Sequence, residues 1–307
     1  MAINRIVSFL PSATELIYEL DAQDRLYGVT HECDFPEDAS KKPHVIQSVF
    51  EPEKMSSKEI DQKILELISN GKDVYELQVE NLKKANPDLI ISQEICEVCS
   101  AYTNQVNNAV KILDKRPEIF AMNPHDIHGI LNDIEEISKK IHASEKGIKL
   151  VESLKKRIEF CKEKQVSHIP KVLAIEWIEP FYTAGHWVPE MIEFVGAKNL
   201  ISKKSEHSRK IMFDEIKDSD PDIIIMMPCG FNVQRTIEEY NNYLKSNHVW
   251  QNLRAVEDKN VFAVDANSYF SKPSIRTITG IEILGKIIHP DEFSQMQVPD
   301  ESFRKIN

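Results

Sequence analysis

The sequence predicts an α/β protein of two Rossmann-like lobes with parallel sheets, joined by a long rigid α-helix, with a ligand cleft between the lobes. Three observations predict it. Short apolar runs alternate with amphipathic stretches over residues 5–124 and again over 171–288, the strand–helix alternation that builds parallel sheets. Between these regions, apolar residues recur every three or four positions from Asp126 to about Lys164, with an interruption near Ala143 to Gly147 and no Pro- or Gly-rich break, so the connector is rigid. Finally, "NLKKANPDLIISQEIC" and "DEIKDSDPDIIIMMPC" share one plan: helix, Pro-Asp, apolar strand, then Cys96 or Cys229 just past the strand end. The expected boundaries are 1–125 for the N-terminal lobe, 126–165 for the connecting helix, 166–289 for the C-terminal lobe and 290–307 for a polar tail.

The elements follow in order. "RIVSFL" and "RLYGVT" are short β runs on either side of a helix from Thr14 to Leu20, which Ser12 or Thr14 can cap. Ser56 to Asn70 is a polar helical stretch. Val79 to Ala85 is a helix stopped by Pro87, after which "DLIIS" is a buried strand. "PEIFAMNP" is another strand. In the second half "KVLAIEW", "DPDIIIMMP" and "NVFAVDA" are strands, separated by helices over Val188–Val195 and Ile237–Ser246 and closed by Arg276–Ile288.

Composition bounds the function. Of 307 residues 41% are hydrophobic, and no uncharged apolar run approaches the roughly 18 residues of a membrane span. The formal net charge is −11, with lysines scattered along helices instead of gathered in a stripe, which argues against nucleic acid. "MAINRIVSFLPSATEL" enters the first strand by residue 5, too early for a secretory leader. The expected location is therefore cytoplasmic as written, or extracytoplasmic if a leader was removed. A nucleophile elbow, a P-loop, GxGxxG and HExxH are all absent from the sequence, so no enzyme is expected.

In open parallel sheets, ligands bind beyond the carboxyl ends of the strands. At those ends stand His31, Glu32 and Cys33 of "HECDF", Cys96 and Cys99 of "CEVC", Glu176, Trp177, His186 and Trp187 of "EWIEPFYTAGHW", Cys229 and Phe231 of "PCGF", and Asn267 and Phe270 of "DANSYF". Ser12 and Thr14 join them through the amides of their helix start. This is an aromatic cleft with a few polar groups, the makeup of a small-molecule site. The cysteines carry three readings. A lone cysteine is most simply packing, whereas CxxC can be a dithiol redox pair. Cys33, Cys96, Cys99 and Cys229 together suit zinc or an iron–sulfur cluster. Cys161, inside the connecting helix, reads as a small apolar filler. Asp126 and His128 match the start of a DxHxxG corrinoid signature, but Leu131 stands where its glycine belongs.

"RIVSFLPSATELIYEL", "GVTHECDFP", "NPDLIISQEICEVC", "MNPHDI", "EWIEPFYTAGHWVPEMIEFVGAKN", "DPDIIIMMPCGF" and "VFAVDANSYFSKPSIR" together resemble the cobalamin-binding, iron-siderophore-type substrate-binding proteins of ABC transporters, over residues 4 to about 289. The resemblance implies two α/β lobes bridged by one long helix. It also implies a cobalamin or related corrinoid lying flat between aromatic residues, with Trp177, Phe181, Trp187 and Phe270 the nearest matches. It further implies a glutamate on each lobe, Glu80 and Glu193, docking onto arginines of a membrane permease. The leading expectation is a non-catalytic binding protein for cobalamin or a related metal chelate. The alternative is a cytosolic metalloprotein or corrinoid-handling enzyme built on the four cysteines, and a thiol redox module stands third.

Overall fold

The computed structural model describes residues 3–94 and 100–306. By contacts between Cα atoms the chain divides into two compact units: residues 1–55, 62–124 and 128–152 form the first, and 56–61, 125–127 and 153–307 the second.

The first unit is a six-stranded sheet with helices. In chain order it contains β1 (Ile6–Ser8), α1 (Pro11–Glu19), β2 (Leu26–Thr30), β3 (His44–Ser48), α2 (Ser57–Ser69, from residue 62 on), β4 (Tyr75–Leu77), α3 (Val79–Ala85), β5 (Leu89–Gln93), α4 (Ser100–Ile112), β6 (Glu118–Met122), α5 (Ile127–Lys140) and the start of α6 (Ser144–Lys162). The strand order is β4-β3-β2-β1-β5-β6, and every pair is parallel except β3–β4. The unbroken apolar run of β5 lies between β1 and β6 and is buried at Leu89, Ile90 and Ile91, as a strand covered on both faces must be. Val7, Phe9, Val45, Ile46, Leu82 and Ile90 pack one core cluster beside it.

The second unit holds β7 (Lys171–Trp177), β8 (Tyr182–Thr183), α7 (Val188–Phe194), β9 (Lys198–Asn199), β10 (Arg209–Lys210), α8 (Phe213–Ser219), β11 (Ile223–Met226), α9 (Val233–Tyr243), α10 (His248–Gln251), α11 (Arg254–Glu257), β12 (Val261–Val264), α12 (Ala266–Tyr269), α13 (Thr277–Ile288) and β13 (Phe303–Lys305). Its sheet runs β10-β8-β7-β11-β12-β13, with β9 also on β7. Only β7, β9, β11 and β12 are parallel to their neighbours among these; β8, β10 and β13 pair antiparallel. Both sheets are thus mixed and not purely parallel, because short polar strands finish their edges: β10 is fully exposed and β13 largely so. Such edges discourage pairing with other chains.

The sequence repeat has a structural cause. α3 and α8 each end on a left-handed residue, Asn86 (φ 41°) and Asp220 (φ 43°), just before a proline that cannot continue a helix. The aspartate that follows then seats the first strand of its sheet. Asp88 donates its N–H to Arg5 O at 2.8 Å and accepts the Arg5 N–H at 3.1 Å. Asp222 donates to Lys171 O at 2.8 Å and accepts from Lys171 N–H at 2.6 Å.

Two boundaries differ from expectation. The single connecting helix over 126–165 is two helices, because the chain turns at 141–143 with His142 in the left-handed region (φ 57°). The polar tail over 290–307 is also partly built into the second unit: Phe293 is fully buried, and β13 pairs with β12 through Phe262↔Lys305 and Val264↔Phe303. The apolar residues Phe293 and Phe303 are too widely spaced to show in a periodicity reading. Similarly, α1 starts at Pro11 with Leu10 as N-cap and no side-chain cap bond, so Ser12 and Thr14 lie inside the helix and are not its caps. No helix among the described residues is long and apolar enough to cross a membrane.

Candidate functional site

In the second unit the carboxyl ends of β7, β11 and β12 are knitted into one ledge. Cys229 donates its N–H to Glu176 O at 3.0 Å, Asn267 to Phe231 O at 3.1 Å, and Gly230 to Ser271 Oγ at 3.0 Å. Cys229 and Gly230 are exposed. Gly230 has φ 77°, and a Cβ there would meet nothing within 4 Å; glycine suits this conformation and leaves the backbone open to close approach. Trp177, half-buried, stands edge-on to Phe231 with centroids 5.4 Å apart. The Arg235 guanidinium lies 3.7 Å over the other ring of that pair, Phe231. Trp177 is also tethered, its indole Nε1 donating to Ser57 O at 3.2 Å. Ser57, fully buried at the start of α2, donates its own N–H to the Glu239 carboxylate at 2.7 Å.

The remaining expected aromatics are not open platforms. Trp187 is 3% exposed and donates its indole N–H to Phe270 O at 3.0 Å, and Phe270 is itself 3% exposed. Phe231 is 1% exposed. Phe181 is half-buried and stacks on the buried Trp250, centroids 5.7 Å apart and 14° between planes, against the main core of the unit. The expectation that Trp187, Phe231 and Phe270 offer ring faces to a ligand is corrected: apolar rings next to strand ends have here been drawn into the core. Trp177, the half-exposed Asn267 and the exposed Cys229 are the expected residues that reach the ledge surface.

His186 follows Gly185 on the way into α7 and belongs to a cluster invisible in the sequence. Its ring centroid is 5.0 Å from that of His207 and 5.9 Å from that of His125, and His125 and His207 are 5.4 Å apart. Burial, then His207, then His125 lower its pKa to about 4. Behind it, burial pushes the Glu176 carboxyl up against opposing hydrogen bonds from Gly185 and Ser208.

In the first unit, Thr14 Oγ1 and Thr30 Oγ1 lie 3.2 and 3.3 Å from Cys33 Sγ. Cys33 is 1% exposed, and burial pushes its thiol up despite these hydroxyls. Enclosed by two threonine hydroxyls, the Cys33 side chain is placed as a packed residue is. Cys229 is exposed, whereas Cys96 and Cys99 lie outside the described residues. Among the described residues no group of three or more His, Cys, Asp or Glu is arranged to hold a metal ion. The zinc or iron–sulfur reading thus has no support in the described cysteines. Cys161 is buried filler as expected, its thiol pushed by burial to about 12. Ser12 is 2% exposed with its Oγ unpartnered, and His31 and Glu32 are half-buried on the loop after β2, His31 tilted against Tyr75 with centroids 6.1 Å apart. Glu80, in the first turn of α3, and Glu193, on α7, are both exposed.

The family profile described as periplasmic binding protein matches residues 6–268. The chain belongs to that family: it is a non-catalytic binding protein for a small ligand, of the kind that serves ABC transporters. Among its relatives, a vitamin B12-binding protein of Vibrio campbellii is 24% identical over 80% of this chain and 80% of its own length. An uncharacterized ABC transporter substrate-binding lipoprotein, YvrC, of Bacillus subtilis is 25% identical over 95% of this chain and 82% of its own length. The crystal structure of a periplasmic heme-binding protein from Pseudomonas aeruginosa shares the fold, with a TM-score of 0.69, 15% identity and 94% of each chain covered. These relatives lend no support to the expected cytoplasmic location, one of them being named a lipoprotein.

Proposed function

We propose that the protein binds a corrinoid, cobalamin or a close relative, and presents it to an ABC-type permease outside the cytoplasmic membrane. The observation that carries the reading is the ledge at the carboxyl ends of β7, β11 and β12, where the bare backbone of Gly230 adjoins the propped indole of Trp177. A flat macrocycle needs such a surface: side-chain-free backbone for close approach and an aromatic for contact. The relative named for vitamin B12 supports cobalamin over other chelates, and the structural neighbour named for heme supplies the second ligand to test.

Titration with cyanocobalamin and, separately, with hemin, followed by absorbance and calorimetry, tests the reading. Cobalamin is expected to bind, and Trp177→Ala to weaken it by about 1–3 kcal/mol through lost contact area. Trp177→Phe keeps a ring, drops the bond to Ser57, and is expected to retain most of the affinity. Binding of hemin alone would replace the corrinoid with a heme ligand; binding of neither would end the tetrapyrrole reading.

The permease contact is proposed to run through Glu80 and Glu193, whose exposure leaves their carboxylates accessible to arginines. Charge reversal, Glu80→Arg or Glu193→Arg, is expected to abolish ligand uptake by cells while leaving ligand affinity within about twofold, because surface substitutions away from the site cost little. Normal uptake by both variants would remove these residues from the contact.

A further inference from the structure

We propose that His125, His186 and His207 form a proton-operated catch that holds the 203–208 segment against the start of α7 at neutral pH and releases it in acid. This rests on the geometry of the second unit and not on the identity of the ligand.

The catch is closed in the structure. His186 donates its N–H to Glu206 O at 2.6 Å and accepts the N–H of Ser205 at 2.9 Å, so two backbone bonds clamp the segment to one residue. To make them, His186 adopts a left-handed backbone (φ 54°), a conformation that costs a non-glycine residue free energy and that the surroundings must enforce. Gly185 lies so close beneath the segment that a Cβ on it would come within 2.2 Å of Ser208 N. The His125 and His186 rings stack, 29° between planes, and His207 meets both edge-on. His186 is only 9% exposed, its ring also tilts against Trp187 at 5.5 Å, and Nδ1 of both His125 and His186 is buried with no hydrogen-bond partner. For the buried imidazole of His186, left without a partner at Nδ1, the neutral form is tolerated and the charged form is costly.

The surrounding charges do not offset a proton on this cluster. From β7, the Glu176 carboxyl, pushed up by burial, accepts the Gly185 N–H at 3.3 Å. From α7, Glu190 accepts the Ile127 N–H at 3.1 Å and Glu193 faces Lys204 at 3.7 Å. Within the segment Glu206 faces Lys203 at 3.5 Å, and Asp126 lies 3.5 Å from Ser205 Oγ. Glu193 and Glu206 are each paired with a lysine, and the acting influences on His186 are burial, His207 and His125, all of which oppose a proton there.

The direction of the pH effect follows from the depressed pKa of His186, about 4 when folded against 6.5 ordinarily. Below pH 6.5 the open form takes up a proton that the closed form refuses, so closure is fully favoured above that pH and weakens progressively as the pH falls toward 4. Release would also separate Lys204 from Glu193, and so, given the docking role proposed for Glu193, tie permease contact to pH.

Hydrogen exchange read by mass spectrometry at pH 7.5 and pH 5.0, corrected for the intrinsic pH dependence of exchange, tests the catch on the full chain. Peptides spanning 184–188 and 203–208 are expected to lose protection by about tenfold or more in acid, while β7 and β11 stay protected. His207 is exposed, so His207→Gln should fold normally, and it is expected to reduce that acid-induced loss severalfold. Unchanged protection at pH 5.0, an equal loss across β7 and β11, or a full loss that persists in His207→Gln and in His125→Gln would each overturn the proposal.

Discussion

Trp187→Ala is expected to lower the unfolding free energy by about 3–5 kcal/mol, the range for removing a large aromatic from a packed core. The indole is 3% exposed, its N–H is satisfied by Phe270 O at 3.0 Å, and His186 packs against it with centroids 5.5 Å apart. Alanine leaves a cavity and also strips Phe270 O of that donor. Trp187 is the residue immediately before α7, so the loss should extend to the position of that helix. Urea denaturation read by far-ultraviolet circular dichroism measures it, as a lower midpoint at an unchanged slope. A loss under about 1 kcal/mol together with markedly weakened ligand binding would return Trp187 to the role of a ligand platform.

That reversal shows where sequence reading succeeds and fails. The strands β5 and β11 were legible because a run such as Leu89–Ile90–Ile91 or Ile223–Ile224–Ile225 fits only a strand covered on both faces, and these positions are buried. The Pro-Asp repeat was legible for a local reason too, the proline stopping a helix and the aspartate seating the next strand. Whether an aromatic beside a strand end faces solvent or core is not local. Trp177 and Trp187 occupy similar sequence surroundings, yet one is held at the ledge by Ser57 and the other is sealed under Phe270, contacts spanning 120 and 83 residues. The imidazole cluster unites "NPHDI", "AGHW" and "SEHS", whose spacing matches no motif. The mixed edges escaped as well, since two-residue strands such as β8 and β10 carry no periodicity to read.

Glu239→Ala is expected to cost about 2–4 kcal/mol, combining loss of a buried charge-assisted hydrogen bond with the volume of the missing side chain. Glu239 is 5% exposed, and its Oε1 accepts the N–H of the fully buried Ser57 at 2.7 Å. That amide belongs to the first turn of α2, where backbone donors lack partners within the helix. The carboxylate of α9 therefore caps α2 from a site 182 residues away in sequence, and it sits at the helix end where negative charge is favourable. Glu239→Gln keeps an acceptor and the volume while removing the charge, so its expected cost is about half as large or less. Ser57→Ala makes the opposite control. The Ser57 hydroxyl is buried without a partner, so removing it should be neutral within about 0.5 kcal/mol or slightly stabilising. Chemical denaturation of the three variants therefore gives an ordered series, Ala at position 239 worst, Gln intermediate, and Ala at position 57 near wild type. If Ser57→Ala proves as damaging as Glu239→Ala, the turn is held by its hydroxyl and not by its backbone amide, and the tether on Trp177 must be reassigned with it.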